Sequence, residues 1–160
     1  MIILGLDPGL ATTGFGIIEK KRSKLIPLDY GVLITAPTLT LPERLSIISK
    51  ELRKLFKKYT IEEVAVEELF FNTNTKTAMA VAQARGVMLL AAQDQKKSVF
   101  SYTPPQVKSG VCGFGKAVKE QVQYMVKQLL HLDSTPKPDD AADALAVAIC
   151  HAHSAKLLKI

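Results

Sequence analysis

The sequence predicts an α/β fold in which a mixed β-sheet carries helices on both faces. Residues 2–6 are a short run that is apolar on both sides, as in a strand from the middle of a covered sheet. A second apolar run, residues 15–18, follows a Pro-Gly turn and begins a hairpin region. Strand-like and helical patterns then alternate along the rest of the chain, which favours a mixed sheet between two helical layers.

Composition limits the possible classes of protein. The 160 residues, 48% of them apolar, are enough for one domain with a substantial core, residues 1–160. No apolar run is long enough to span a bilayer, and the N-terminal run is too short for a signal peptide, so we expect no membrane association. Two isolated cysteines, Cys112 and Cys150, are typical of a reduced cytoplasmic chain. A formal net charge of +6 favours a polyanionic partner without establishing one.

The first strand ends at Asp7, where an Asp-Pro-Gly sequence turns the chain. An aspartate here can simply cap its own turn, so this motif alone does not assign it a function. Gly14 and Gly16 follow in the next strand. They predict open backbone that a bulky group such as a phosphate can approach.

The next predicted elements are a third strand near residues 28–34 and a helix beginning at Pro42. The basic run at residues 20–24 predicts a solvated hairpin turn before this strand. The helix has one apolar face and one basic face. The basic residues are Lys50, Arg53, Lys54, Lys57 and Lys58. We interpret them as solvated surface, with contact to nucleic acid as the less favoured alternative.

The middle of the chain combines a strand, two aromatic residues and an apolar helix. The strand, residues 61–66, ends on Glu67, and Phe70 and Phe71 follow it. The helix covers residues 76–93 and is apolar nearly all round in its second half, so it must be covered on several sides. Core burial is the default interpretation, and a subunit interface is the more specific one.

The last third is predicted to contain one strand and three helical segments. In order, these are a strand at residues 98–103 closed by two prolines, a helical turn at 106–111, a flexible loop at 113–115, a helix at 117–130 and a final helix beginning around Asp139. In the helix at 117–130 we expect Val118 on the buried face and Lys119 on another side.

The final helix opens with an acidic motif that contains Asp139, Asp140 and Asp143. Residues three or four apart share a helix face, so Asp143 can meet one ligand together with either of the other two. Capping explains acids in a first turn but explains Asp143 poorly, because it lies a full turn inside. The alanines beside it allow this helix to pack close to a sheet.

Asp7 and Glu67 are each the first acid after a predicted strand, so packing of the final helix on the sheet would gather four carboxylates. Without cations these groups would repel one another, and some would protonate. Oxygen ligands with no His or Cys partner select Mg²⁺ or Mn²⁺. Two such ions about 4 Å apart are the usual device for hydrolysing a phosphodiester. The pattern therefore predicts a metal-dependent nuclease site.

Motifs along nearly the whole chain also resemble a known family. They are residues 3–9, 66–70, 83–87, 106–108, 113–115 with Lys119 and 121–123, and 140–146. In this order they closely resemble the RuvC family of bacterial Holliday-junction resolvases. The resemblance implies a ribonuclease-H-like fold and a Mg²⁺-dependent homodimer, with two ions per active site, that nicks opposing strands of a four-way DNA junction in recombination and repair. It also implies a branch-migration helicase complex as a partner.

The resemblance assigns roles to individual residues. The implied catalytic and metal-binding carboxylates are Asp7, Glu67, Asp140 and Asp143. The implied DNA-contacting residues are the crossover aromatic Phe70 and the lysines Lys108 and Lys119. This choice favours Asp140 over Asp139, which is left as an additional acid beside the metal pair. For the homodimer, we expect an interface on helix 76–93 that uses Met79, Val81, Ala82, Met88 and Leu89.

Three alternatives compete with this interpretation. Residues 7–13 also resemble the phosphate loop of sugar-kinase and actin-like ATPases, but those proteins need two such domains. A non-catalytic basic DNA-binding module would not need the four acids. A related ribonuclease-H-like nuclease acting on another nucleic-acid structure is the strongest alternative.

Overall fold

The computed structural model describes residues 1–69 and 75–154. In these ranges the elements are β1 (Ile2–Asp7), β2 (Thr12–Lys21), β3 (Lys24–Ile34), α1 (Leu41–Lys58), β4 (Glu63–Glu67), α2 (Thr75–Asp94), β5 (Ser98–Tyr102), α3 (Pro104–Cys112), α4 (Lys119–Leu129) and α5 (Asp139–Ser154). Within them, no helix is both long and apolar enough to cross a membrane.

The five strands form one mixed sheet in the order β3-β2-β1-β4-β5. The pairs β1–β2 and β2–β3 are antiparallel, whereas β1–β4 and β4–β5 are parallel. Leu6 pairs with Val66, and Glu67 pairs with Tyr102. The carboxyl ends of β1, β4 and β5 therefore lie at the same edge of the sheet.

Two hydrophobic clusters cover the two faces of this sheet. One contains apolar side chains of α3, α4 and α5, and the other contains those of α1 and α2. Ile48 and Leu52 of α1 are completely buried in the second cluster, as their helical spacing predicts. The predicted mixed sheet with helices on both faces is confirmed.

The glycines of the hairpin strands have a different role from the one predicted. A side chain at Gly14 would overlap the carbonyl oxygen of Asp140, and one at Gly16 would lie 2.7 Å from the Leu145 side chain. The prediction of open backbone for a phosphate is therefore wrong. These glycines instead allow α5 to lie directly on β2.

Two local predictions also need correction. The prolines after β5 open α3 rather than only closing the strand: Thr103 is its N-cap, and the Gln106 backbone N–H donates to the Thr103 hydroxyl at 3.4 Å. Val118 is the N-cap of α4 and is 56% exposed, so it does not belong to the buried face. The predicted helix at 117–130 begins two residues before α4 does.

The basic face of α1 largely matches the interpretation as solvated surface. Arg53 pairs with Asp94 at 3.1 Å, and Lys58 pairs with Asp29 at 3.2 Å. Lys54 pairs with Glu51 on the same helix at 2.6 Å. Three of the five basic side chains thus have acidic partners within the protein.

Helix α2 covers the predicted range but buries different residues from those expected. Met88 is completely buried in the core, so its assignment to a subunit interface is wrong. Met79 is 64% exposed and Leu90 is 61% exposed. The exposed apolar surface of α2 therefore lies on a stripe through Met79 and Leu90.

Candidate active site

The sheet and α5 bring the predicted carboxylates to one place. Asp7 ends β1 and Glu67 ends β4, and the parallel pairing of these strands sets both at the same edge. Asp140 and Asp143 lie in the first turns of α5, which packs across β1 and β2. The site is assembled from three elements far apart in sequence.

Gly14 sets the approach of α5 to Asp7. It pairs directly with Asp7 in the β1–β2 ladder. A Cβ atom added to it would lie 3.2 Å from the Asp7 Cβ and would also collide with the Asp140 backbone. The missing side chain is therefore what allows Asp140 to lie beside Asp7.

The electrostatics show that the four carboxylates are close enough to interact. Burial, and then repulsion from Glu67, Asp143 and Asp140, raise the pKa of Asp7 to about 8. Burial, and then the Asp143 charge, raise the pKa of Glu67 to about 7. Burial is also the main reason why the pKa of Asp143 is raised. Deprotonation of all the carboxylates in the cluster is therefore unfavourable.

Two lysines lie against the same cluster. Lys108 of α3 and Lys119 of α4 line a cavity of about 200 Å³ together with Glu67 and Asp143. The Lys119 ammonium is 3.7 Å from an Asp143 carboxylate oxygen. Lys119 opposes the rise in the pKa of Asp7, and Lys108 opposes the rise in that of Glu67. The lysines predicted to contact DNA thus border the acidic cluster.

Asp139 occupies a different environment from its neighbour Asp140. Its carboxylate is 2.9 Å from the Lys137 ammonium and 3.1 Å from that of Lys119. Hydrogen bonds from these two lysines lower the pKa of Asp139 to about 2. Asp139 is therefore already neutralised by the protein, unlike Asp7 and Glu67.

The donor set fits a hard divalent cation by its chemistry. In the described ranges, no three His, Cys, Asp or Glu side chains already converge tightly enough to hold one ion. The four clustered ligand candidates nevertheless offer only oxygen atoms, and repulsion raises the pKa values of Asp7 and Glu67. A divalent cation would relieve that repulsion and draw the carboxylates together.

Arg85 of α2 is a positioning residue that sequence reasoning did not identify. Its Nε donates to the backbone carbonyl of Glu67 at 3.2 Å, and its Nη2 donates to the Ser101 hydroxyl at 2.8 Å. Arg85 thus ties the end of β4 to α2 and β5. It lies in the motif at residues 83–87, but the spacing of that motif gives no signal for this role.

A second cavity lies on the other side of Asp140. It has a volume of about 550 Å³ and is lined by Asp140, by residues 9–12 after the first strand, by Arg44 of α1 and by Thr77 of α2. The acidic cluster is therefore bordered by two cavities, each of which contains a basic side chain.

The aromatic residue predicted at a junction crossover cannot be placed in this geometry. Phe70 and the adjacent Phe71 lie outside the described residues. The assignment of Phe70 stays a prediction from the resemblance.

The fold and the clustered acids define a nuclease of the ribonuclease-H-like class. A family model described as crossover junction endodeoxyribonuclease RuvC matches residues 3–151. The chain belongs to the RuvC family. Its relatives include the RuvC protein of Clostridioides difficile strain 630, which is 57% identical over 159 residues, covering 99% of this chain and 94% of the relative.

Solved structures agree with this assignment. The structure of Thermus thermophilus RuvC superimposes with a TM-score of 0.90 at 37% identity, covering 98% of this chain and 96% of that one. The same protein in complex with a Holliday junction substrate also gives 0.90, at 34% identity and the same coverage. The yeast mitochondrial resolvase Ydc2 shares the fold, with a TM-score of 0.70 at 18% identity, covering 98% of this chain and 81% of that one.

Proposed function

We propose that this protein is an endonuclease that resolves four-way DNA junctions by symmetric, Mg²⁺-dependent nicking during recombination and repair. The observation that carries the proposal is the half-buried, mutually repelling carboxylate cluster next to Lys108 and Lys119, in a chain of the RuvC family. The related Thermus thermophilus protein has been solved with a Holliday junction substrate.

In this proposal the four carboxylates hold the metal. Asp7, Glu67, Asp140 and Asp143 would bind Mg²⁺, for which Mn²⁺ can substitute. Bound metal supplies activation of a water molecule and stabilisation of the leaving oxygen. The parallel pairing of β1 and β4 fixes two ligands, Asp7 and Glu67, at one edge of the sheet, and α5 contributes the other two.

Lys108 and Lys119 would bind phosphates of the DNA beside the cut. Both are donors that line the acidic cavity, where a phosphate can replace the carboxylates of Asp139 and Asp143 as the partner of Lys119. The net charge of +6 supports general attraction to DNA. Phe70 would contact the bases at the crossover.

The proposed active form is a homodimer that forms through α2. Met79, Gln83, Gly86 and Leu90 follow one another at spacings of four, three and four residues, so they form one stripe on the helix. All four are exposed, and a side chain at Gly86 would meet nothing within 4 Å. A small residue near the centre of a stripe with an apolar residue at each end permits close approach of a second α2 across a two-fold axis.

A cleavage assay tests the proposed function. The substrates are a four-way junction, a duplex, an RNA–DNA hybrid and a flap of matched sequence, each with and without Mg²⁺. We expect the wild type to nick the junction at symmetric positions, and Asp7→Asn to bind it without cutting. Asp139→Asn is the matched control, because Asp139 lies on the same helix end but is paired with lysines.

The control variant should retain cleavage. Faster cutting of the hybrid or the flap than of the junction would favour the alternative, a related nuclease with another substrate. The proposal also includes a branch-migration helicase complex as a cellular partner, on the basis of the family resemblance. It includes a cytoplasmic location, for which the isolated cysteines Cys112 and Cys150 are the sequence argument.

A further inference from the structure

Arg44 lines the second cavity, and the proposed function has so far given it no role. It lies in the first turns of α1, and its side chain faces the same space as Asp140 and the loop that follows Asp7. Lys108 and Lys119 face the cavity that contains Glu67 and Asp143. The acidic cluster is thus bordered by lysines on one side and by an arginine on the other.

One hydrogen bond to the Thr35 hydroxyl, which is itself anchored by a second hydrogen bond, positions the Arg44 guanidinium. Its Nε donates to the Thr35 hydroxyl at 2.8 Å, and this hydroxyl donates to the Leu10 carbonyl at 2.5 Å. Thr35 is buried, so this chain of contacts is shielded from water. The arrangement fixes the guanidinium beside the loop that leads away from Asp7.

The Arg44 side chain lines the cavity, and its two terminal nitrogens have no acidic partner in residues 1–69 and 75–154. Arg53, on the same helix, pairs with Asp94, and Arg85 donates to Glu67 and Ser101. A fixed guanidinium with two free N–H groups is suited to bidentate binding of a phosphate.

We propose that Arg44 binds a phosphate of the cleaved strand on the opposite side of the scissile phosphate from Lys108 and Lys119. This inference rests on the proposed function, because it takes the strand to cross the acidic cluster from one cavity to the other. Arg44 is then a positioning residue: with the lysines it holds the strand at two points on either side of the acids.

The first test measures the salt dependence of junction binding in EDTA. Arg44→Gln should lower the slope of log affinity against log salt by about 1, since one phosphate contact is lost. Arg53→Gln, which removes the same charge from the same helix, should leave the slope unchanged. Arg44→Lys should keep the slope but bind less tightly, because a lysine cannot form the bidentate contact.

The second test uses the wild-type protein with junctions that carry one neutral methylphosphonate at successive positions near the cut. We expect weaker binding at one phosphate on the side away from the lysines, and no further loss at that phosphate with Arg44→Gln.

An unchanged slope for Arg44→Gln, or no sensitive phosphate on that side, would overturn the inference while junction cleavage by the wild type persists. A wild type that does not cut junctions would instead remove the proposed function itself. Because the methylphosphonate scan needs no variant, it decides the matter even where Arg44→Gln folds poorly.

Discussion

Asp7 and Glu67 keep their protons to unusually high pH, with pKa values raised to about 8 and about 7. The folded state therefore binds more protons than the unfolded state between the ordinary carboxyl range and these values. In the absence of metal, the stability that this contributes is full below the ordinary pKa values and is lost as the pH rises through about 7 and 8. A cation must compete with the same protons, so metal binding should strengthen over this window.

We accordingly expect Mg²⁺ to stabilise the protein more at a pH of about 8.5 than at about 6. At a concentration roughly 100 times the dissociation constant, the gain is about 2.7 kcal/mol, or roughly 5–10 °C in unfolding temperature. Thermal unfolding with Mg²⁺ and with EDTA measures it. Asp7→Asn should lose most of the gain, and Asp139→Asn should keep it. Equal stabilisation at both pH values would contradict competition between Mg²⁺ and protons.

Arg85 provides a second prediction at the level of single residues. Arg85 donates one hydrogen bond to the Glu67 backbone carbonyl and a second to the Ser101 hydroxyl of β5, so it links the end of β4 to β5. Arg85→Ala should therefore lower the rate of cleavage by about 10- to 100-fold, the range found for residues that orient metal ligands. Junction affinity in EDTA should change little. Single-turnover kinetics separate the two effects, and Ser101→Ala should give a smaller loss of rate. Equal losses of affinity and rate would instead make Arg85 a DNA contact.

At the scale of elements, α5 is held at both ends. Its first turns carry two acids of the cluster, Asp140 and Asp143. Farther along, His151 is completely buried between Tyr102 of β5 and Glu63 of β4. The Tyr102 hydroxyl lies 2.6 Å from Nδ1 and the Glu63 carboxylate 2.7 Å from Nε2. Since a carboxylate only accepts, Nε2 donates to Glu63 and Nδ1 accepts from Tyr102. Burial lowers the pKa of His151, which favours this neutral form.

Removal of one hydrogen bond of this network should destabilise the fold. Tyr102→Phe leaves the buried Nδ1 without its donor, and we expect a loss of about 1–3 kcal/mol in the free energy of unfolding. Tyr124→Phe is the matched control, because Tyr124 is 59% exposed on α4 and its hydroxyl is available to water. Urea unfolding measures both variants. A Tyr102→Phe variant as stable as this control would show that the contact contributes nothing.

The sequence was most informative where local pattern and packing agree. The hydrophobic spacing of α1 and the apolar runs of β1 and β4 predicted these elements and placed Asp7 and Glu67 at strand ends. Gly14 was misinterpreted because its neighbour is α5, which lies more than 120 residues away in the chain. Local periodicity carries no information about such a contact.

The acids of α5 also show that local sequence patterns cannot identify tertiary contacts. Helical spacing could not choose between Asp139 and Asp140, and only the family resemblance made the choice. The structure shows the physical difference: Lys137 and Lys119 pair with Asp139, whereas the Asp140 backbone lies against Gly14 beside Asp7. Arg44 and Arg85 were not predicted as functional because no spacing marks a side chain that acts through tertiary contacts.

At the scale of the whole molecule, the proposed reaction requires two active sites. A four-way junction has approximate two-fold symmetry, and its resolution into two ligatable duplexes takes two symmetric nicks. One chain carries one acidic cluster, so two chains related by a two-fold axis are the simplest active assembly. Helix α2 connects the proposed dimer interface with the active site. It carries the exposed stripe and also Arg85, which contacts Glu67.

Met79→Asp should dissociate the proposed dimer, since a charge would be buried at the interface of two α2 helices. Sedimentation velocity at working concentration should show a dimer for the wild type and a monomer for the variant. Val118→Asp is the matched control, because Val118 is 56% exposed on α4 and should leave the dimer intact. On a junction, Met79→Asp should separate the two nicks in time, so that singly cut molecules accumulate, while stabilisation by Mg²⁺ is retained. A wild-type monomer that still makes both nicks together would contradict an α2 dimer.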